Sequence, residues 1–453
     1  MLNLPPSILS VLSIFTPLFS KPAFHKFLVL FHAHILCKGF RTVTGLLKTL
    51  GLKEDKNFSN YHDFFNKNKW SALDGARILF LRLISVLSSN DTVYISIDTT
   101  IERRKGPEIK SLNIQRDPVR STKGRKVLVP GLLWLVCTVH FKLPWVNKLW
   151  ALPFLTILMR PEKPLSTSKN KNDLKKVKKR HKTLNDWACQ VVKVLRRWSG
   201  TIKITIVGDS AFATYLLANT CIDNKVNLTS RMRLDARTFE FPMVNKKGHK
   251  NLVGKRLPTF KEMLNDPTII WKTAEMLWYG GKIKKIEFIT GTCLWYGYGI
   301  RPVPIRWVLI PNLKEISESV ALFTLDLEST PEKLISEYIS RWPIEVTFEE
   351  ARRHLGMETQ RQWSDLSIDR QTPCILASFS IISLIAVELQ KNNKEDIMIQ
   401  RSAWYPKSHV TFSDVLAYVR RHTLKEKYVP QFGQNRELWN EQLAEIINQL
   451  AAA

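Results

Sequence analysis

The sequence predicts an α/β core interrupted by a β-rich insertion, with a helical N-terminal domain and a partly helical C-terminal tail. Three observations carry this. Apolar residues recur at helical spacing through the first 90 positions. From about residue 91 the order becomes strand, long segment, helix, strand, helix, strand, which is that of an α/β unit. Short aromatic strands then break the pattern before it resumes near residue 329.

The elements follow in order. Residues 1–90 carry helical periodicity in Phe24–Cys37, Val43–Leu50 and Trp70–Leu87, and this domain is a candidate for binding DNA. The apolar runs Leu9–Phe19 and Phe27–Cys37 are too short and interrupted to span a bilayer, so both read as buried helices. The N-terminus lacks a basic n-region, carries Pro5, Pro6 and Pro17 and shows no clear small-residue cleavage site, so a signal peptide is not expected. The first part of the core, 91–230, holds expected strands at Val93–Asp98, Leu132–Phe141, Ile202–Val207 and Lys225–Ser230. It also holds expected helices at Leu184–Trp198 and Phe212–Cys221. The insertion, 231–328, opens with a basic, glycine-bearing flap (Arg231–Lys261). Strands are expected after it near Lys284–Thr290, Cys293–Tyr298 and Ile305–Leu309. The core resumes over 329–392. Thr330 is a good N-cap with Pro331 in the first turn, Pro343 kinks or restarts the helix, and Gly356 is a plausible stop. An apolar helix, Ile375–Leu389, precedes the tail, 393–453.

Charge narrows the partner. The chain has 453 residues and a formal net charge of +28. Nine Lys/Arg against three acids lie between Glu102 and Lys126, and nine against one between Lys163 and Lys182. Basic tracts alternating with folded aromatic segments point to a polyanion, nucleic acid first, over a membrane or a small-molecule substrate. The residues expected at the phosphates are Arg120, Lys123, Arg125, Lys126, Lys175, Lys176, Lys178, Lys179, Arg231 and Arg233. Six scattered cysteines with no CxxC pair read as reduced, buried thiols in a cytosolic protein, and no Cys/His cluster has zinc-ligand spacing.

Candidate chemistry lies in three acids. Asp98 and Asp209 each end a strand-type run, VYISID and IKITIVGD. Tyr338, Arg341, Glu345 and Arg352 follow the order Tyr-x2-Arg-x3-Glu-x6-Arg, at about 0°, 300°, 340° and 320° on an ideal helix. A carboxylate flanked by two guanidinium groups and a phenol can hold a metal while its neighbours grip phosphate oxygens. Three hard oxygen donors suit two Mg2+ ions, with Mn2+ able to substitute, for phosphodiester hydrolysis. Each residue also has a plainer reading. Either aspartate alone is a turn or cap residue, and Tyr338 is amphipathic packing. Glu345 is then an ion-pair partner of Arg341 at i−4, with Glu349 the runner-up acid on the same face.

These residues resemble bacterial insertion-sequence transposases with an RNase H-like DDE domain, in the group marked by a YREK signature. Tyr338, Arg341 and Glu345 match its Y, R and E, and Arg352 replaces the lysine. The segments RTVTGLL, NFSNYHDFFN, RDPVRSTKGR, ALPFLTIL, GDSAFA and SRMRLDAR are similar to that group's superfamily-endonuclease branch. The resemblance implies an RNase H-like fold, with Asp98, Asp209 and Glu345 as catalytic metal ligands and a β-rich insertion between the second and third acids. It implies that a tryptophan there stacks on a flipped base, with Trp271, Trp278 and Trp295 as candidates. It further implies hydrolysis at the ends of the element, transfer of the freed 3′-hydroxyl to target DNA, and a homodimer that pairs two ends. The setting would be bacterial cytoplasm, on the nucleoid when DNA is bound. The competing readings are a DNA-binding protein without catalysis and another RNase H-like nuclease.

Overall fold

The computed structural model describes residues 4–86, 92–117, 120–122, 124–146, 148–162, 181–243, 251–278, 283–311, 319–428 and 445–452. Lys123 and the tract from 163 to 180, with Lys175, Lys176, Lys178 and Lys179, lie outside them.

Five helices come first: α1 (Pro6–Ser13), α2 (Lys21–Leu36), α3 (Val43–Thr49), α4 (Ser59–Asn66) and α5 (Ala72–Ile84). Thr42 and Ser71 cap α3 and α5 by accepting from Gly45 N and Asp74 N. Helices α2 to α4 share an apolar cluster around Leu46, Phe64 and Phe65. Helices α1 and α5 instead contribute Ile8, Leu12, Leu79 and Phe80 to the main core.

Among the described residues one sheet of eleven strands runs through the molecule. Its first half is β1 (Val93–Arg103), β2 (Asn113–Arg116), β3 (Leu128–Lys142), β4 (Leu149–Met159), β5 (Ile204–Gly208) and β6 (Asn227–Met232). Strand β1 runs antiparallel to β3, and β3 to β4 and β2. On its other side β1 is parallel to β5, and β5 to β6. The parallel pairs need crossovers, supplied by α6 (Leu184–Ser199) and α7 (Tyr215–Asp223). A Thr183–Asp186 capping box starts α6.

The expected insertion extends this sheet rather than forming a separate one. It supplies β7 (Thr238–Phe239), α8 (Phe260–Leu264), β8 (Lys272–Leu277), β9 (Ile283–Trp295), β10 (Val303–Ile310) and β11 (Val320–Thr324). Strand β11 pairs antiparallel with β6 and so joins the two halves. The two strands expected before and after Gly291 are one strand, β9. A Cβ on Gly291 would meet the Trp307 ring of β10 at 3.0 Å, so the aromatic packs where a side chain is missing.

The helices α9 (Pro331–Ile339), α10 (Pro343–His354), α11 (Asp365–Asn393) and α12 (Phe412–Tyr428) follow, and residues 445–451 are helical as well. The helix expected to carry the Tyr-Arg-Glu-Arg stripe is two helices. Pro343 has no N–H to continue α9, and it serves instead as the first residue of α10. Among the described residues α11 alone is long and apolar enough to cross a membrane, yet it packs against β4, α1, α5 and α12 and is largely buried.

Candidate active site

The sheet register brings the two aspartates together. Ile97 of β1 lies opposite Gly208 of the parallel strand β5, so the next residues, Asp98 and Asp209, leave that pairing side by side. Asp209 then caps a 3-10 turn, its Oδ1 accepting from Ala211 N at 3.0 Å, while Ser230 of β6 donates to its carbonyl at 2.7 Å. Gly208 permits the turn, because a Cβ there would stand 2.9 Å from the Phe212 ring.

The third acid arrives through the break between α9 and α10. Arg341 lies in that break, its side chain only 11% exposed. Its Nη1 donates to Asp98 Oδ2 at 2.7 Å and its Nη2 to Glu345 Oε1 at 2.9 Å. One guanidinium therefore spans the first and third acids. The turn is braced from below by His140 of β3, whose ring nitrogens contact Ser96 Oγ at 2.5 Å and Ser340 Oγ at 3.2 Å. Burial pushes His140 down to about 4, so it is neutral near pH 7.

Electrostatics mark the cluster. Burial pushes Asp98 up to about 6; Arg341 opposes this, and the charges of Asp209 and Glu345 reinforce it. Tyr338 is raised by burial, with Arg341 and Arg231 pulling it down and Asp209 and Asp98 pushing it up. These mutual effects place Tyr338, Arg231, Arg341, Asp98, Asp209 and Glu345 in one electrostatic neighbourhood. Glu349 is elsewhere, exposed and paired with Arg353 at 2.6 Å.

Among the described residues no group of three or more His, Cys, Asp or Glu side chains stands close enough to hold a metal ion. Arg341 accounts for this at the acid cluster, since it sits between Asp98 and Glu345. In kind the donors fit a hard divalent cation: all are carboxylate oxygens, and such a cation would offset both the burial that raises Asp98 and the lesser repulsion from Asp209 and Glu345.

Arg352 stands beyond this cluster. Its Nε donates to Glu358 Oε1 at 3.1 Å, Nη1 to the Phe348 carbonyl at 3.3 Å, and Nη2 to Thr100 Oγ1 at 2.7 Å and the Ile101 carbonyl at 3.0 Å. Four of its five N–H groups are thus engaged within the chain, tying α10 to β1. Trp278 and Trp295 are each 6% exposed, the latter against Tyr215 and Phe323, while Trp271 is half-buried against the core. Arg125 and Lys126 are exposed, Arg120 is exposed and 3.7 Å from the buried Asp117 carboxylate, and Arg233 is exposed but paired with Asp235 at 2.6 Å. Sequence reasoning passed over three features: the Arg341 bridge, the Arg103–Glu358–Arg352 network and the exposed Trp363. The first joins residues 243 positions apart, and no local spacing signals it.

Residues 15–286, more than half of the chain, match the family model described as DDE superfamily endonuclease. That span includes Asp98 and Asp209 and ends before Glu345. Among solved structures the chain is similar to a piggyBac transposase in a synaptic complex with hairpin DNA. The identity is 9%, the TM-score 0.41, and the alignment covers 94% of this chain and 76% of that one. No curated protein matches.

Proposed function

Since the chain belongs to the DDE superfamily endonuclease family, we propose that it is a transposase-type nuclease whose catalytic acids are Asp98, Asp209 and Glu345. The observation that carries this reading is the meeting of three elements at one point: Asp98 lies within β1, which runs on to Arg103 rather than ending at the aspartate as expected, Asp209 follows the end of the neighbouring β5, and Arg341 links Asp98 to Glu345. The finer reading follows the resemblance of the sequence. The chain would be a bacterial insertion-sequence transposase of the YREK group, acting in the cytoplasm as a homodimer on two ends of its element. The half of the sheet from β4 to β6, with α6, α7 and α10, would be its RNase H-like core.

Asp98, Asp209 and Glu345 would hold divalent metal, Mg2+ or Mn2+. When bound, it supplies charge neutralisation at the scissile phosphate and an activated water. The chain's own residues do the rest. Without DNA, Arg341 balances the carboxylates of Asp98 and Glu345, keeping buried negative charge compensated. With DNA engaged, its guanidinium exchanges those carboxylates for phosphate oxygens, a partner its planar fork suits equally well. Tyr338, half-buried beside it, keeps the arginine in place. Arg352 braces the third acid's helix against β1 at Thr100 and Ile101. Arg120, Arg125, Lys126 and Arg231 would contact the flanking backbone, giving salt-dependent affinity.

The test uses supercoiled plasmid carrying the element's own ends, with Mg2+, and a second target plasmid. Cut ends joined to the target support the reading. Cutting that follows DNA shape and gives no joined product points to another RNase H-like nuclease. DNA binding without any cutting points to the non-catalytic reading.

A further inference from the structure

About 17 Å along β1 from Asp98, estimated from the rise of five strand residues, a second feature opens to solvent. It is a cleft of about 680 Å³ between the loop that follows β1, the start of β3 and the segment joining α10 to α11. Lys105, Arg120 and Arg361 line it with exposed cations. Against them stand Glu108 and Glu358, and Glu358 is already neutralised by Arg103 at 3.2 Å and Arg352 at 3.1 Å.

Trp363 stands on its rim, 61% exposed. Its backbone is held on both sides. Arg104, buried and paired with Glu102, donates to the Gln362 carbonyl, and Ser364 Oγ donates to Asn66 Oδ1 at 2.8 Å. Glu358, at the foot of the same segment, adopts φ +77°, a left-handed conformation that a non-glycine residue keeps only when its surroundings enforce it. Here the two arginines on its carboxylate do so. Among the described residues no aromatic ring stacks on the indole. A large apolar face is thus fixed in water beside three cations, the combination that grips unpaired nucleic acid.

We propose that this cleft holds an unpaired DNA strand, its phosphates on Lys105, Arg120 and Arg361 and one base stacked on Trp363. A base paired within a duplex does not offer its face to an indole, so the occupant is a single-stranded end rather than the duplex body. The Arg352–Glu358–Arg103 network ties the cleft wall to β1 at Thr100 and Ile101, so a strand leaving the acids would follow β1 to reach it. This inference rests on the DNA-cleaving reading of the site.

The experiment measures fluorescence anisotropy of labelled blunt duplex and of the same duplex with a four-thymidine overhang, in EDTA so that cutting plays no part. Wild type should prefer the overhang. Trp363→Ala should lower overhang affinity about tenfold with blunt binding unchanged, Trp363→Phe should keep most of it, and Trp404→Ala, exposed outside the cleft, should match wild type. Arg361→Ala should reduce the salt slope for the overhang by about one. A Trp363→Ala protein that keeps the full preference, or loses blunt binding equally, overturns the cleft assignment while leaving the nuclease reading intact. Wild type that binds neither DNA overturns both.

Discussion

Asp98→Asn should make the protein more stable as pH rises above about 4, with the full gain reached above about 6. Burial, with the charges of Asp209 and Glu345, holds the folded-state Asp98 carboxyl at about 6 against an ordinary 3.8, in spite of Arg341. Between those two values the native state binds the proton that the unfolded chain has released. Wild-type stability therefore falls as pH rises through that window and levels off above about 6. Holding an acid from 3.8 to about 6 corresponds to roughly 3 kcal/mol. Asparagine mimics the protonated form and removes this loss. Urea denaturation of both proteins at pH 4 and pH 7.5 reads the difference. Near pH 4 they should differ little, and at pH 7.5 the variant should be ahead by about 3 kcal/mol. Glu350, which burial raises to about 7, titrates in both proteins and cancels. A stability difference flat across this range would refute the claim that Asp98 is a carboxylate kept ionised at a cost.

Three further outcomes are expected. Arg341→Met leaves the largely buried Asp98 carboxylate uncompensated, while the loss of its pair with the partly exposed Glu345 adds little, and together these should cost about 3 kcal/mol in urea denaturation at pH 7.5. Glu102→Ala should cost a similar ~3–5 kcal/mol. That fully buried carboxylate accepts from Arg104 at 2.8 Å, Trp134 Nε1 at 2.8 Å and Thr372 Oγ1 at 2.7 Å, and the change strands the Arg104 charge. Gly208→Ala drives a Cβ into the Phe212 ring and shifts the turn that presents Asp209. Plasmid cutting should fall by on the order of 10²-fold while the thermal melt changes little.

The parts of the fold read from sequence were those with local signals. Alternating or β-branched runs marked β1, β5 and β6, Thr330 and Pro331 marked the start of α9, and Pro343 marked the restart at α10. Strand β4 went unread because its apolar run has no alternation and contains Pro153, which argues against a central strand. In the structure Pro153 sits beside the bulge where the register with β3 shifts between Cys137 and Thr138, so its missing N–H is tolerated. Strand β2 was hidden inside a basic stretch that reads as loop. The three acids were picked out by type and spacing, and the Glu345–Arg341 pair by its i−4 spacing, but the Asp98–Arg341 contact was not. A guanidinium shared between carboxylates on β1 and α10 is a product of tertiary packing. Trp363 escaped notice for a related reason: its exposure depends on Arg104 and Ser364 pinning the chain on either side of it.

The claim beneath all of this is that Asp98, Asp209 and Glu345 act as one divalent-cation site once Arg341 yields. Titration of Mn2+ into the DNA-bound protein, followed by electron paramagnetic resonance, tests it directly. Asp98→Asn, Asp209→Asn and Glu345→Gln should each weaken Mn2+ binding at least about tenfold, the loss of roughly 1.4 kcal/mol expected when one carboxylate ligand goes. Any one of the three binding Mn2+ as tightly as wild type would remove that residue from the site and contradict the account.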